Sequence, residues 1–562
     1  MTAADILIVG AGPAGLTLAN DLAMRGAPFR IIDSASEPMC ESRAHGFANR
    51  TLLALDKLGL AEPILAAAKQ PPPVLREYFG KTLVREQDLG TLPHDPYPAM
   101  LAVFQQRVTR VLEAALITRG HEVEWSTRLV SLQTEAHGVV AAVKRNGCPE
   151  VIKARWIVGC EGGRSIVRSA LGLDDPMASK TSRGAKKSGF PILLCECDAD
   201  WDLSRDIWWV WQSVGGSCSA IFNDFTGKWH ISAMDLGGAE PTLERVEQLL
   251  RRRSGVGVRL GGADWVRRAT STGHAATRFM TAAGAVVGDA AHTFASVAGQ
   301  GLHFAIEDAI NLGWKLALKQ QGAASPSLLE TYDTERRERY EDALARSRTA
   351  ERFLTLPAWV TKPIFAALYF VGRRARSNTA NASKQSEQLQ MSYPASPLTR
   401  QASPQATPGS RAGMHAPDAP CRIGGAPSRL LEIIRGPQAD LLLFTGPGPS
   451  PKAIADLRAL TESIEPLRAH MRVRWVFPSE AHASEAGLRE DDPSVIVDGL
   501  EALQDAFGIQ NPEVVYLRPD GYIGLRSASL EVRSLLSYLG LIYDRSLTDA
   551  PQRQLVATSN SG

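Results

Sequence analysis

The chain opens on Ile6-Leu7-Ile8-Val9, a short continuous apolar run of the kind needed by a strand buried on both faces. A glycine-rich turn follows. Small and apolar residues then recur at helical spacing from Ala14 to about Arg25, where Gly26 is a natural stop. Phe29-Arg30-Ile31-Ile32 predicts a second strand. The pattern changes over residues 188–275, where 191–197, 207–212, 218–223 and 228–234 alternate or run apolar. Gly215-Gly216 and Thr226-Gly227 supply turns, so an antiparallel sheet is expected there. Cys195-Glu196-Cys197 reads as part of a strand, with its two thiols on opposite faces. Residues 357–371 are apolar around Lys362 and two prolines and read as a core or interface helix, with a membrane-surface helix as the alternative. Residues 378–412, rich in Ser, Pro, Gln and Ala, read as a linker. Beyond Gly413 a smaller α/β unit is expected. Its strands lie at 441–444 and 473–477, around a helix at 452–465. A hairpin of 514–517 and 522–526 turns at Pro519-Asp520-Gly521, and a closing helix runs over 530–539.

Composition narrows the class. With 562 residues the chain is too long for one core, so two or three domains are expected. Net charge is +2, which implies no strong field for nucleic acid or an anionic membrane. Seven scattered cysteines without zinc-type spacing predict no metal site and fit a reducing cytoplasm. No run of 18 apolar residues exists, so no membrane span is expected, and the strand at Ile6 leaves no room for a signal peptide.

Candidate chemistry begins at Gly10-Ala11-Gly12-Pro13-Ala14-Gly15. Gly10 permits the tight turn, Gly12 lets a phosphate approach the backbone, and Gly15 lets the helix pack on the strand. The helix starting at Ala14 offers its first amides to a pyrophosphate. Asp33 closes the second strand, where a carboxylate accepts hydrogen bonds from both ribose hydroxyls and repels a 2′-phosphate. Strand, glycines, helix, strand and acid in this order predict a tightly held ADP-like nucleotide.

Gly288-Asp289-Ala290-Ala291-His292, then Gly299-Gln300-Gly301-Leu302, then residues 307–316 resemble the class A FAD-dependent aromatic hydroxylases. Ser42-Arg43-Ala44-His45 with 51–60, the p-hydroxybenzoate hydroxylase-like segment 105–114, and Gly159 to Arg168 agree. The resemblance covers roughly residues 1–350. It implies that Asp289 binds the ribityl hydroxyls of FAD. Gly299, Gln300, Gly301 and Leu302 would start a helix facing the flavin pyrimidine, Arg43 would reach the phosphates, and Gln105 the ribityl or pyrophosphate region. A helix N-terminus there suits an anionic reduced flavin, by roughly 0.3–2 kcal/mol. Glu161 stands where the family carries Asp. Ala295 and Ser296 replace two substrate-side prolines, and His303 replaces an Asn. His303 is a candidate proton relay or a packing residue, and His292 reads as structural.

The implied fold is a Rossmann-like FAD/NAD(P)-binding domain (1–187, with a substrate-domain excursion near 75–100, and 276–412). It carries an inserted antiparallel β-sheet substrate domain (188–275) and a thioredoxin-like C-terminal domain (413–562) of the phenol hydroxylase type. Thr445-Gly446-Pro447-Gly448-Pro449-Ser450 has no thiols, so disulfide exchange is excluded there; stabilisation or homodimer contacts are its expected roles. Met391-Ser392-Tyr393-Pro394 resembles a segment that folds against the flavin domain. Trp208, Trp209, Trp211, Phe222 and Trp229 offer flat apolar area, with Trp211, Phe222, Ala295 and Ser296 as the substrate pocket and Phe190, Pro191 and His230 as further wall. The implied activity is hydroxylation of a phenolic or polycyclic aromatic substrate by FAD, NAD(P)H and O2 through a flavin hydroperoxide, in the cytoplasm. His303, His230 and His274 are candidates for the activating base. Baeyer–Villiger oxidation or epoxidation, and a non-hydroxylating flavin-binding role, stay open. A halogenase reading from Trp209-Val210-Trp211 is disfavoured by Gln212-Ser213-Val214, which lacks the expected proline.

Overall fold

The computed structural model describes residues 2–549, apart from 40, 43, 69–73, 91–95, 99, 175–190, 214–215, 236, 238–239, 271–274, 295–299, 356–391 and 404–409. The apolar stretch 357–371 therefore lies outside the described residues. No helix among the described residues is long and apolar enough to cross a membrane.

Thr2–Val9 is central in the first sheet, paired in parallel with Phe29–Ile32 on one edge and Cys148–Gly159 on the other. Ile6 stands opposite both Phe29 and Trp156, which explains why Ile6, Leu7 and Ile8 must all be apolar. Gly138–Arg145 and Thr127–Glu135 extend the sheet antiparallel. Gly284–Val286 returns from far along the chain to pair in parallel with Cys148–Gly159. Pro13–Met24 and the long helix Gly301–Gln320 pack together; a Cβ at Gly313 would lie 2.0 Å from Asp21 Oδ2. That contact leaves room only for glycine.

The second sheet runs in the order Arg259–Thr270, Pro191–Asp200, Lys228–Met234, Gly216–Asn223, Ile207–Ser213, Val74–Phe79, Thr82–Asp88. The expected strands are present, and Val74–Phe79 and Thr82–Asp88 join them from the first part of the chain. Two features differ. Val74–Phe79 joins Ile207–Ser213 in parallel, and a helix, Leu243–Ser254, interrupts what reads as continuous sheet. This helix covers one face, burying Trp209, Trp211, Phe222 and Trp229 with Val246, Leu249 and Leu250. Cys195 and Cys197 belong to that same core, their sulfurs 3.9 Å apart. The opposite-face expectation for them is thus incorrect, because residues two apart on a strand share a face.

The third sheet has eight strands, in the order Arg400–Ala402, Ile523–Ser527, Glu513–Leu517, Ala439–Phe444, Met471–Phe477, Val495–Val497, Pro420–Ile423, Ala426–Arg429. Arg400–Ala402 corrects the linker reading of 378–412, since it pairs in parallel with Ile523–Ser527. The long helix serves two cores: Phe304, Ile306 and Ile310 face the first, and Trp314 and Leu318 the third sheet. A buried ionic cluster fastens the join. Glu335 accepts from Arg518 at 2.6 and 3.0 Å, from Lys315 at 2.8 Å and from Asn311 at 2.7 Å. Asp520, from the Pro-Asp-Gly turn, accepts from Arg518 and from Trp314 Nε1.

Candidate functional site

Gly10 and Gly15 sit where only glycine fits. Gly10 has φ +104, and a Cβ there would lie 2.6 Å from the Cys160 carbonyl. A Cβ at Gly15 would lie 1.9 Å from Gly10 O. At Gly12, which caps Pro13–Met24, a Cβ would meet nothing within 4 Å, so the backbone there is open to close approach. Asp33 Oδ2 accepts from Ala11 N–H at 2.7 Å, tying the acid to the glycine turn.

The second motif touches the first. Gly288 has φ +63, and a Cβ there would meet Ala305 Cβ at 2.8 Å and Ala14 Cβ at 3.5 Å. The two signatures, distant in sequence, thus share one contact at the start of both long helices. Asp289 is exposed, its Oδ1 3.6 Å from where a Gly301 Cβ would stand. Behind it, Asp308 anchors the turn. Its Oδ2 accepts from Gly288 N–H at 3.0 Å and lies 2.7 Å from His292 Nε2, while Oδ1 accepts from Arg336 at 2.5 Å. Burial alone would raise this carboxyl, but Arg336 and His292 outweigh it and hold it at about 2. His292 is structural, stacked on Tyr340 at 4.9 Å.

The middle motif joins both. Arg168 donates to Ala290 O at 2.8 Å and to Gly163 O at 3.0 Å. Glu161 curls back on its own loop, where Oε1 accepts from Ser165 Oγ at 2.9 Å and Val167 N–H at 2.8 Å. Burial raises its carboxyl. The extra methylene thus lets Glu161 cap the start of Ile166–Ala170.

Gln105 begins the helix Gln105–Thr118, and its N–H donates to Ser42 Oγ and Ala44 O, both at 2.9 Å. This anchors the loop bearing Arg43, which itself lies outside the described residues, as do Phe190, His274, Ala295, Ser296 and Gly299. His303 is buried; its Nε2 sits 3.1 Å from Ala48 N and 3.2 Å from Gly46 O. Burial and Arg50 lower it to about 3, so it is neutral and serves as a strut between the long helix and Gly46–Ala48. Gln300 caps the long helix, with Gly301 and Leu302 in its first turn.

The pocket expectation needs correction. Trp211 and Phe222 lie on the sheet face covered by Leu243–Ser254, away from the first domain. The opposite face carries the cross-strand row Trp265, Glu196, His230 and Ile221. Ile221 packs with Ala102, Phe104 and Trp208. Strand alternation gives both faces aromatic residues, so sequence does not say which one a helix will cover. Asp308 and Arg336 were also missed. Their signal was Glu307-Asp308 within the otherwise apolar Phe304 to Ile310.

A family model described as FAD binding domain matches residues 3–347. The chain is 29% identical over 559 residues to the 6-methylpretetramide 4-monooxygenase of Streptomyces rimosus, covering 96% of this chain and 94% of that protein. Among solved structures it is similar to OxyS anhydrotetracycline hydroxylase from Streptomyces rimosus. The TM-score is 0.70 at 24% identity, over 96% of this chain and 99% of that one. It is also similar to the flavin-dependent monooxygenase PieE in complex with FAD and substrate, with a TM-score of 0.72 at 20% identity over 98% and 99% of the two chains. At these identities the two structures establish the shared fold.

Proposed function

The chain belongs to the FAD binding domain family, and on that premise we propose that it is an FAD-dependent monooxygenase that hydroxylates a phenolic or polycyclic aromatic substrate with NAD(P)H and O2. The observation that carries this reading is the contact between the two nucleotide motifs, with Gly288 against Ala14 and Ala305. One long dinucleotide laid along that contact would touch both. Gly10, Gly12, Pro13, Ala14 and Gly15 would receive the pyrophosphate, and Asp33 the adenosine ribose. Asp289 and Gln105 would hold the ribityl chain, with Arg43 at the phosphates. Gly299, Gln300, Gly301 and Leu302 would face the flavin ring. Glu161 would act here indirectly, by fixing the loop next to Gly10.

When bound, FAD supplies the oxygen-activating redox chemistry, with NAD(P)H and O2 as co-substrates. The protein positions the substrate between its second sheet and the long helix, excludes water, and sets the local field. The boundaries 1–187 (with a substrate-domain excursion near 75–100), 188–275, 276–412 and 413–562 describe the proposed domains, with Arg400–Ala402 adding an edge strand to the last, which is read as thioredoxin-like. Its central parallel pair Ala439–Phe444 and Met471–Phe477, its 513–527 hairpin, and the helices Pro451–Ser463 and Val532–Leu539 support that reading. A cytoplasmic location is proposed with it.

The test is anaerobic reduction of the purified yellow protein by NADH and NADPH with and without phenolic ligands, followed by incubation under labelled oxygen. Ligand-stimulated reduction and one labelled oxygen in the product are expected. A protein that cannot be reconstituted with FAD, or that transfers no labelled oxygen to any phenol, sinks the reading.

A further inference from the structure

Where the residues around His45 meet the face of the second sheet that Leu243–Ser254 leaves uncovered, five rings cluster together. His45 lies 4.7 Å from Trp208 and 4.9 Å from His230, between ring centroids. Phe104 is 5.7 Å and Trp265 5.9 Å from His230. Gly46 follows His45 at the wall, where a Cβ would press within 3.0 Å of Trp208. His230 is 1% exposed, yet neither of its ring nitrogens has a hydrogen-bond partner. His45 Nδ1 and Trp208 Nε1 are likewise buried and unpartnered.

Buried polar atoms are almost always paired, and an imidazole must carry at least one N–H and, when neutral, one acceptor nitrogen. Unpaired buried nitrogens beside a wall of aromatic rings are groups that a ligand's hydroxyl or carbonyl can satisfy. The box is joined to the nucleotide motifs on two sides: Phe104 precedes Gln105, and Gly46 and Ala48 meet His303 of the long helix.

We propose that His230 and His45 form the hydrogen-bonding end of the substrate pocket, and that they select a planar aromatic carrying uncharged hydroxyl or carbonyl groups over one carrying a carboxylate. This rests on the hydroxylase reading and names its substrate class. The charges nearby argue for neutrality. Glu196 is the cross-strand partner of His230, buried and held by Asn223 at 2.5 Å, and its carboxyl opposes a second one. Arg267, two residues beyond Trp265 and on the same face, is paired with Glu41. A phenol can donate to one imidazole and a carbonyl accept from the other, whereas a carboxylate would meet neutral rings and an acid.

The experiment titrates FAD-loaded protein with 1-naphthol, 1-naphthoate and naphthalene at pH 7, reading the flavin absorbance change. Wild type is expected to bind 1-naphthol about tenfold more tightly than 1-naphthoate. His230→Phe should weaken 1-naphthol about tenfold and leave naphthalene unchanged, while His230→Gln should recover most of the loss. His45→Gln, which keeps a polar wall, serves if His230→Phe does not retain FAD; it should alter 1-naphthol binding and spare naphthalene. Equal affinity for naphthol and naphthoate, no binding of 1-naphthol to wild type, or variants that leave 1-naphthol binding unchanged overturn the proposal. A protein that binds 1-naphthol as expected but transfers no oxygen to any phenol would overturn the hydroxylase reading and leave this box standing as a binding site.

Discussion

One methyl group at residue 15 probes the nucleotide turn directly. Gly15→Ala places a carbon 1.9 Å from Gly10 O, so strand and helix must part. The expected cost is about 1–3 kcal/mol with loss of FAD on purification, read by the ratio of flavin to protein absorbance. A stable, fully yellow Gly15→Ala protein would contradict this geometry. Acid sensitivity is set at the same scale. Burial lowers His45 from 6.5 to about 4 and His303 to about 3. Below pH 6.5 the unfolded chain takes up these protons and the folded chain does not, so their contribution is full above that pH and falls away toward pH 3–4. Asp308, held at about 2 against 3.8 unfolded, adds a further loss below pH 3.8. Urea midpoints should therefore drop steadily from pH 7 to pH 4, and less steeply in His303→Asn. A midpoint that does not change over that range would exclude the neutral-histidine account.

The element that organises the site is the helix Gly301–Gln320. Its first turn faces Asp289, and its middle carries Asp308 to the Gly288 turn. Asp289→Ala removes the carboxylate that stands beside the first turn of this helix. It should weaken FAD binding about tenfold or more, measured by FAD titration of the refolded protein. Unchanged FAD affinity would remove Asp289 from the cofactor site. Elements of this kind were legible where local pattern decides them. Ile6 to Val9, Leu441 to Phe444 and the 513–527 hairpin are apolar or alternating runs bounded by turn residues. Ala426–Arg429 and Pro420–Ile423 were not, because a four-residue strand with a proline carries no period to read. Partner choice was equally hidden: nothing local tells Val74–Phe79 to run parallel to Ile207–Ser213. The pocket was misread at Trp211 for a similar reason, since Trp208 and Trp209 differ only in which face they take. Gly10 and Gly15 were legible because the turn at one and the close helix approach at the other leave no room for a Cβ.

At the scale of the whole molecule, the Glu335 cluster decides whether the third sheet stays attached. Glu335→Gln leaves Lys315 and Arg518 short of a buried carboxylate. It should lower stability by about 3 kcal/mol or more and expose residues between 392 and 402 to limited proteolysis. Arg489→Ala, which breaks only the exposed pair with Asp491, should change neither midpoint nor cleavage pattern. Equal behaviour of the two variants would mean that the apolar contacts of Trp314 and Leu318 hold the unit alone.

The late return of Gly284–Val286 to the first sheet has a consequence for synthesis. A ribosome releases Thr2–Val9 well before Gly284–Val286, so its sheet gains this parallel strand only after the entire second sheet has emerged. Non-local closure of this kind is slow, and the waiting strands expose apolar edges. Flavin capture is therefore a late event in the life of the nascent chain. A truncation that stops short of residue 284 is expected to yield aggregated, colourless material rather than a small flavoprotein.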